Sequence, residues 1–148
     1  MRTHETCLEY LRALVDLEDR KGRHDAAWVL MTDQWRQLVA GLMLAEAGQG
    51  PRPDLRLVAL IASGPHPGHP IWDAFVGMHR QLITKPWGVH AIIDDFEVVR
   101  TELGSGPLTE VVTVGSLGPT DAVMRFEMLH TPEGWKVNNV VAPPGSFN

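Results

Sequence analysis

Asp94, His130 and His90 are the side chains of this chain best suited to moving a proton, and Asn139 and Tyr10 are the groups suited to orienting a carbonyl beside them. A carboxylate desolvated among apolar neighbours has a raised pKa and can act as a general base. An imidazole exchanges protons near neutral pH. What gathers these groups is strand alternation, since every second side chain of a strand faces the same way. Ile92, Asp94, Phe96 and Val98 share one face, as do Ala122, Met124, Phe126, Met128 and His130, and as do Trp135, Val137, Asn139 and Val141. The rows carrying Asp95, Glu97, Arg125, Glu127 and Lys136 are expected outside. What remains is an apolar wall of Phe96, Met124, Phe126, Met128, Trp135 and Val137, interrupted by Asp94, His130 and Asn139. With Trp28 and Trp35 from the first half of the chain, this is the usual make-up of a small-molecule site, an apolar pocket with a few convergent polar groups. The competing reading keeps Asp94 in water at a strand entrance, has His130 close a hairpin, and lets Asn139 satisfy a backbone group.

Other chemistry-bearing residues carry weaker signals. His66 and His69 are three apart in a Gly- and Pro-rich stretch, and a third ligand would have to arrive from elsewhere, so no metal is assigned. Gly104-Ser105-Gly106 has neither the spacing nor the lysine of a phosphate-binding loop. Cys7 is the only cysteine, which excludes an internal disulfide and reads as a small apolar residue on a helix. His79-Arg80 reads as a solvated helix face, or else as a contact for an anionic group. No organic cofactor is required.

The elements that must position these residues follow from hydrophobic spacing. Strand-like runs cover Ile92 to Leu103, Leu108 to Leu117, Ala122 to His130 and Trp135 to Val141. Gly104 to Pro107, Gly118-Pro119 and Pro132 to Gly134 are the turns between them, short enough to join antiparallel neighbours into a meander. Upstream, Cys7, Leu8, Leu11, Leu14 and Val15 recur at helical spacing from Thr3 to about Asp19. Thr3, Thr6 and Glu5 supply the start, and Gly22 suits the end. Further helices are predicted from Asp25 to Thr32, from Asp33 (as cap) to Ala47, and from Ile71 to Thr84, the last stopped by Lys85-Pro86-Trp87-Gly88. Leu55 to Ile61 reads equally as a strand or a buried helical turn. Helices gathered over one face of an antiparallel sheet make an α+β protein.

At 148 residues the chain fits one domain, spanning residues 1–148. A net charge of −5 disfavours a nucleic-acid backbone or an anionic membrane as partner, because both select clustered Lys and Arg. Nothing near Met1 has the basic-then-apolar order of a secretion signal, and no apolar run approaches the length of a membrane span, so a cytoplasmic location is expected.

Two stretches carry a family resemblance. Gly22 to Arg36, with its acidic residue, paired alanines, aromatic, threonine, aromatic and arginine, is similar to the helix-turn-helix that opens many members of the NTF2-like family, also called SnoaL-like or ketosteroid-isomerase-like. Phe126 to Val140, with Gly134-Trp135-Lys136 entering the last strand, resembles their closing hairpin. The resemblance implies a cone, with a curved sheet wrapped over helices. It implies a small apolar ligand and, in many relatives, acid/base chemistry of the cyclase, isomerase, dehydratase or hydrolase kind on an apolar carbonyl-bearing or polycyclic compound. The usual second carboxylate of the isomerases has no assigned position here. Other such domains only dimerise or dock partners, so the alternative is a non-catalytic module using an outer sheet face of Val99, Thr101, Val111, Thr113, Leu129 and Val140. A homodimer is the expected assembly.

Overall fold

In a computed structural model, the protein is described over residues 2–15, 24–49, 54–64, 66, 68–84, 96–116 and 123–141. The expected Gly22 cap, the stop at Lys85 to Gly88 and the strand residues Ile92 to Asp95 lie outside the described residues. The elements run α1 (Thr3–Val15), α2 (His24–Val29), α3 (Asp33–Leu44), α4 (Leu55–Ala62) and α5 (Pro70–Thr84), then β1 (Phe96–Leu103), β2 (Thr109–Ser116), β3 (Val123–Thr131) and β4 (Gly134–Val141). The strands form one antiparallel sheet in the order β1-β2-β3-β4, so the predicted meander and α+β class are observed.

Local signals account for the helix starts. Arg2 stands before α1, with its backbone N–H donating to the Glu5 carboxylate at 3.1 Å and its carbonyl accepting from the Thr6 hydroxyl. Thr3 is not the cap. Its hydroxyl reaches across to the Glu110 carboxylate on β2 and pins the helix to the sheet. Thr32, rather than Asp33, caps α3, its hydroxyl accepting from the Trp35 N–H at 3.2 Å. Asp33 sits in the first turn, where a carboxylate favours the helix dipole. Asp54 accepts from the Arg56 N–H at 2.8 Å, and this cap settles the 55–61 segment as helix. A π-helical turn, Ala45–Gln49, closes α3, with Gly48 at φ 90° where a side chain would be strained.

The core is the layer between helices and sheet. Cys7, Tyr10, Leu11 and Leu14 of α1 meet Val112, Val114, Met124, Phe126, Met128 and Val137 of the sheet, all buried. α1 packs on all four strands, whereas α3 packs on β4, α4 and α5. Leu30 and Thr32, on the turn between α2 and α3, exchange backbone hydrogen bonds with Val137 of β4, at 2.7 Å and 2.9 Å. The outer side of β4 is thereby tied to the helical layer, covering a strand edge that would otherwise expose unpaired backbone groups.

Two bulges change which side chains face the core. Between Val98 and Arg100 the register slips by one residue, so Thr101 pairs with Val112, whose side chain is buried in the core. Between Glu127 and Met128 it slips again: Met128 pairs with Val137, but Phe126 pairs with Val140 and Glu127 with Asn139. An extra residue flips every later side chain to the opposite face. Thr101 and Val140 therefore leave the outer face expected for them, and Asn139 leaves the row it was expected to share with Trp135 and Val137.

Candidate functional site

Three elements enclose a groove of about 430 Å³. α3 supplies Trp35, Leu38 and Leu42, residues three and four apart that fall on one helix face, with Glu46 following in the π-helical turn. α5 supplies Met78, Gln81 and Leu82, and β4 supplies Asn139 and Val140, the latter facing inward because of the second bulge. Leu38 and Leu42 are 44% and 43% exposed, which is unusual for paired leucines on a helix that also buries Val39, Ala40 and Met43. Their outer halves are open to anything that enters the groove.

Trp35 closes the floor and joins the groove to a buried polar cluster. Its indole N–H donates to the Tyr10 hydroxyl at 3.0 Å, and the same hydroxyl is hydrogen-bonded to His79 Nε2. A hydroxyl carries one proton and two lone pairs, so the Tyr10 oxygen can accept from Trp35 and still bond to the His79 ring nitrogen. Tyr10 is fully buried and His79 is 3% exposed. Burial pushes the Tyr10 pKa well above the ordinary phenol value, and the Trp35 hydrogen bond offsets only part of that. Phe126 and Phe75 flank the cluster with rings at 6.2 Å from Tyr10 and 6.1 Å from His79. The cluster is thus a buried hydrogen-bonded chain that locks the orientation of the groove floor.

A second group holds α3 from the other side. The Arg36 guanidinium lies 4.2 Å from the Trp28 ring centroid, donates to the Trp28 carbonyl at 2.7 Å, and pairs with Asp33 at 3.2 Å. Burial lowers the Arg36 pKa, and Asp33 opposes that shift. Trp28 packs edge-on against Trp72 and Phe75, with ring centroids at 5.3 and 5.5 Å. Beside them is a void of about 10 Å³, room for no more than a single water.

The residues singled out by sequence are distributed unevenly around this geometry. Asp94 and His90 lie outside the described residues. His130 is exposed at the β3–β4 hairpin, its ring 4.9 Å from Trp135 and edge-on to it. Phe96, Met124, Phe126 and Met128 are buried core residues packed beneath the helices, and Trp28 belongs to the aromatic cluster. Of the expected wall, Trp35 and Asn139 line the groove, and Tyr10 stands directly behind it. Asn139 spends its side-chain oxygen on the Val140 N–H, at 2.8 Å. His79 was missed as a cluster member. The signal was present, because Trp72, Phe75, Val76 and His79 fall at positions i, i+3, i+4 and i+7 of α5, which makes the histidine the end of a buried stripe.

Metal chemistry finds no support in the loop before α5. His69 Nδ1 accepts from the Ile71 N–H at 3.1 Å, and His66 Nε2 lies 2.8 Å from the Leu60 carbonyl, so both imidazoles order local backbone. Among the described residues no group of three His, Cys, Asp or Glu side chains could hold an ion, and no helix is long and apolar enough to cross a membrane.

Fold and groove together define an α+β protein with a helix-walled apolar groove beside an antiparallel meander. Compared with family models, with curated proteins and with solved structures, the chain matches none.

Proposed function

We propose that this chain is a small-molecule-binding protein of the NTF2-like type and that its site is the groove between α3, α5 and β4. One observation carries the reading: about 430 Å³ of open space is walled by Leu38, Leu42, Met78, Leu82 and Val140 over a Trp35 floor, with polar groups confined to Glu46, Gln81 and Asn139 among the described residues. That volume and that ratio of apolar to polar lining suit a small organic ligand. Met78 adds a pliable wall that adapts to ligand shape. The ligand is a small molecule with an apolar body, and the reading is binding rather than turnover. The buried Tyr10–His79 hydrogen-bonded pair lies behind Trp35, and Glu46 is the one titratable side chain among the described lining residues.

The test is calorimetric titration with decanol, on the native chain and on a Leu38→Ser/Leu42→Ser variant. Both leucines are already nearly half in water, so the fold tolerates the change, while a ligand loses roughly 1 kcal/mol of apolar contact per leucine. Saturable binding that weakens roughly thirtyfold in the variant supports the reading. Binding of equal strength in both proteins moves the site elsewhere.

A second reading rests on the opposite face of the sheet. Val99, at the first bulge, is 55% exposed, and Val123, which flanks Gly115 together with it, is 36% exposed, with Arg125 and Glu127 adjoining. An apolar centre with a polar rim suits a homodimer interface. Val99→Lys would then convert a dimer to a monomer in sizing chromatography, whereas an unchanged elution volume dismisses that surface.

A further inference from the structure

We infer that the ligand of the groove is an amphiphile with an amine head, its apolar body lying over Trp35 and its ammonium group meeting Glu46. The inference rests on the groove being the ligand site and adds the chemistry of the ligand. Its basis is the asymmetry of the lining. The walls supplied by Leu38, Leu42, Met78, Leu82 and Val140 are apolar, and polarity is confined to Glu46, Gln81 and Asn139.

Among the described residues Glu46 is the only charged group of the lining, and it is an anion. It forms no ion pair there, unlike Asp33, Glu102 and Glu133, each of which has an arginine or lysine partner. A carboxylate without an ion pair among the described residues, in the lining of an apolar trough, attracts a cation and repels a carboxylate or phosphate head. The overall charge of −5 acts in the same direction. Asn139 supports the choice of a donor-bearing head only weakly, since its oxygen is already engaged with the Val140 N–H. Gln81 is exposed and offers its amide oxygen as a further acceptor. Fatty-acid-like ligands, whose anionic heads would sit against Glu46, are thereby disfavoured, and long-chain or polycyclic amines are favoured.

The experiment titrates three probes with one apolar body, decylammonium, decanol and decanoate, into the native chain, Glu46→Gln and Glu97→Gln. Glu97 is an exposed carboxylate on β1, outside the groove, so its variant carries the same change of net charge without touching the site. A solvent-exposed ion pair is worth up to roughly a fivefold change in affinity. Decylammonium is expected to bind about fivefold tighter than decanol, with decanoate weakest. Glu46→Gln is expected to remove that advantage while decanol affinity stays within about twofold, and Glu97→Gln is expected to leave the order intact. The advantage is also expected to shrink as salt is raised, because exposed charges are screened. Equal binding of the three probes, or an ammonium preference that survives in Glu46→Gln, overturns the amine assignment and leaves the groove reading standing. Failure of all three probes to bind removes the groove reading, and the amine assignment with it.

Discussion

Replacing Tyr10 with phenylalanine removes one oxygen atom and leaves the ring, yet it is expected to be among the most damaging single-atom changes in the protein. Tyr10 is fully buried, and its hydroxyl serves two partners at once, the Trp35 indole N–H at 3.0 Å and His79 Nε2. Phenylalanine fills the same space, so no sizeable cavity forms. The cost comes from the partners. A buried polar group deprived of its hydrogen bond costs roughly 1–3 kcal/mol, and here two buried groups lose their shared partner, giving about 2–6 kcal/mol in total. Urea unfolding followed by circular dichroism measures this directly. The midpoint should fall with the slope unchanged, because the surface exposed on unfolding is the same. A paired variant, Tyr10→Phe with Trp35→Phe, should cost less than the sum of the two single changes, since removing the second partner erases part of the first penalty. A loss under about 1 kcal/mol in Tyr10→Phe would refute the view that this hydroxyl is the hub of the core.

Two other predictions test independent parts of the structure. Burial pushes the Cys7 thiol well above its ordinary range. Below about pH 8.5 the folded and unfolded chains both keep that proton, so stability is flat; above it only the unfolded chain releases the proton, and stability should fall by up to about 1.4 kcal/mol per pH unit. Urea midpoints between pH 7 and 10 should show this decline, and Cys7→Ala should flatten it, whereas an unchanged slope would contradict the burial. Leu108 holds φ 59° at the β1–β2 hairpin and is 67% exposed, so its side chain gives little in return for the left-handed backbone. Leu108→Asn should raise the free energy of unfolding, measured by urea titration, by about 0.5–1 kcal/mol, and a destabilised variant would show that the leucine makes a compensating contact.

Periodicity was enough to read α1, α3, α5 and the strands from sequence, but not α4, whose residues left strand and helix equally open. Cys7, Leu11 and Leu14 mark one face of α1, and each strand of the meander falls between the turns expected from Gly and Pro. Capping was less legible, because Thr32 and Asp33 are adjacent and both can cap; the choice depends on which of them adopts extended backbone, and Thr32 does, at ψ 160°. Face assignment failed where the alternation rule fails physically. Nothing in Glu97-Val98-Val99-Arg100 or in Val137-Asn138-Asn139 announces an extra residue, since a bulge is decided by the partner strand. In the second bulge the Asn138 side chain accepts from the Thr32 hydroxyl at 2.8 Å and donates to Glu127 at 3.0 Å. That tertiary bridge joins residues more than a hundred positions apart, and local patterning holds no trace of it.

The groove itself was illegible for a related reason. Leu38 and Leu42 look like ordinary core positions of an amphipathic helix, and their partial exposure depends on how α3 packs against α5 and β4, which local spacing does not encode. Trp35 and Asn139 were singled out for the wall of a sheet-lined pocket and instead line a helix-walled one. The apolar make-up with a few polar groups that the sequence leads one to expect of a pocket recurs in the lining of this groove, whose place on the fold the sequence does not indicate.

Methionine methyl groups report that place without ambiguity. Met78 lines the groove, whereas Met124 and Met128 lie fully buried on the inner face of the sheet. In a titration of methyl-labelled protein with decylammonium, followed by nuclear magnetic resonance, a saturable shift of the Met78 methyl with Met124 and Met128 unmoved is the expected result. Shifts confined to Met124 and Met128, with Met78 silent, would place the ligand against the sheet and contradict the groove.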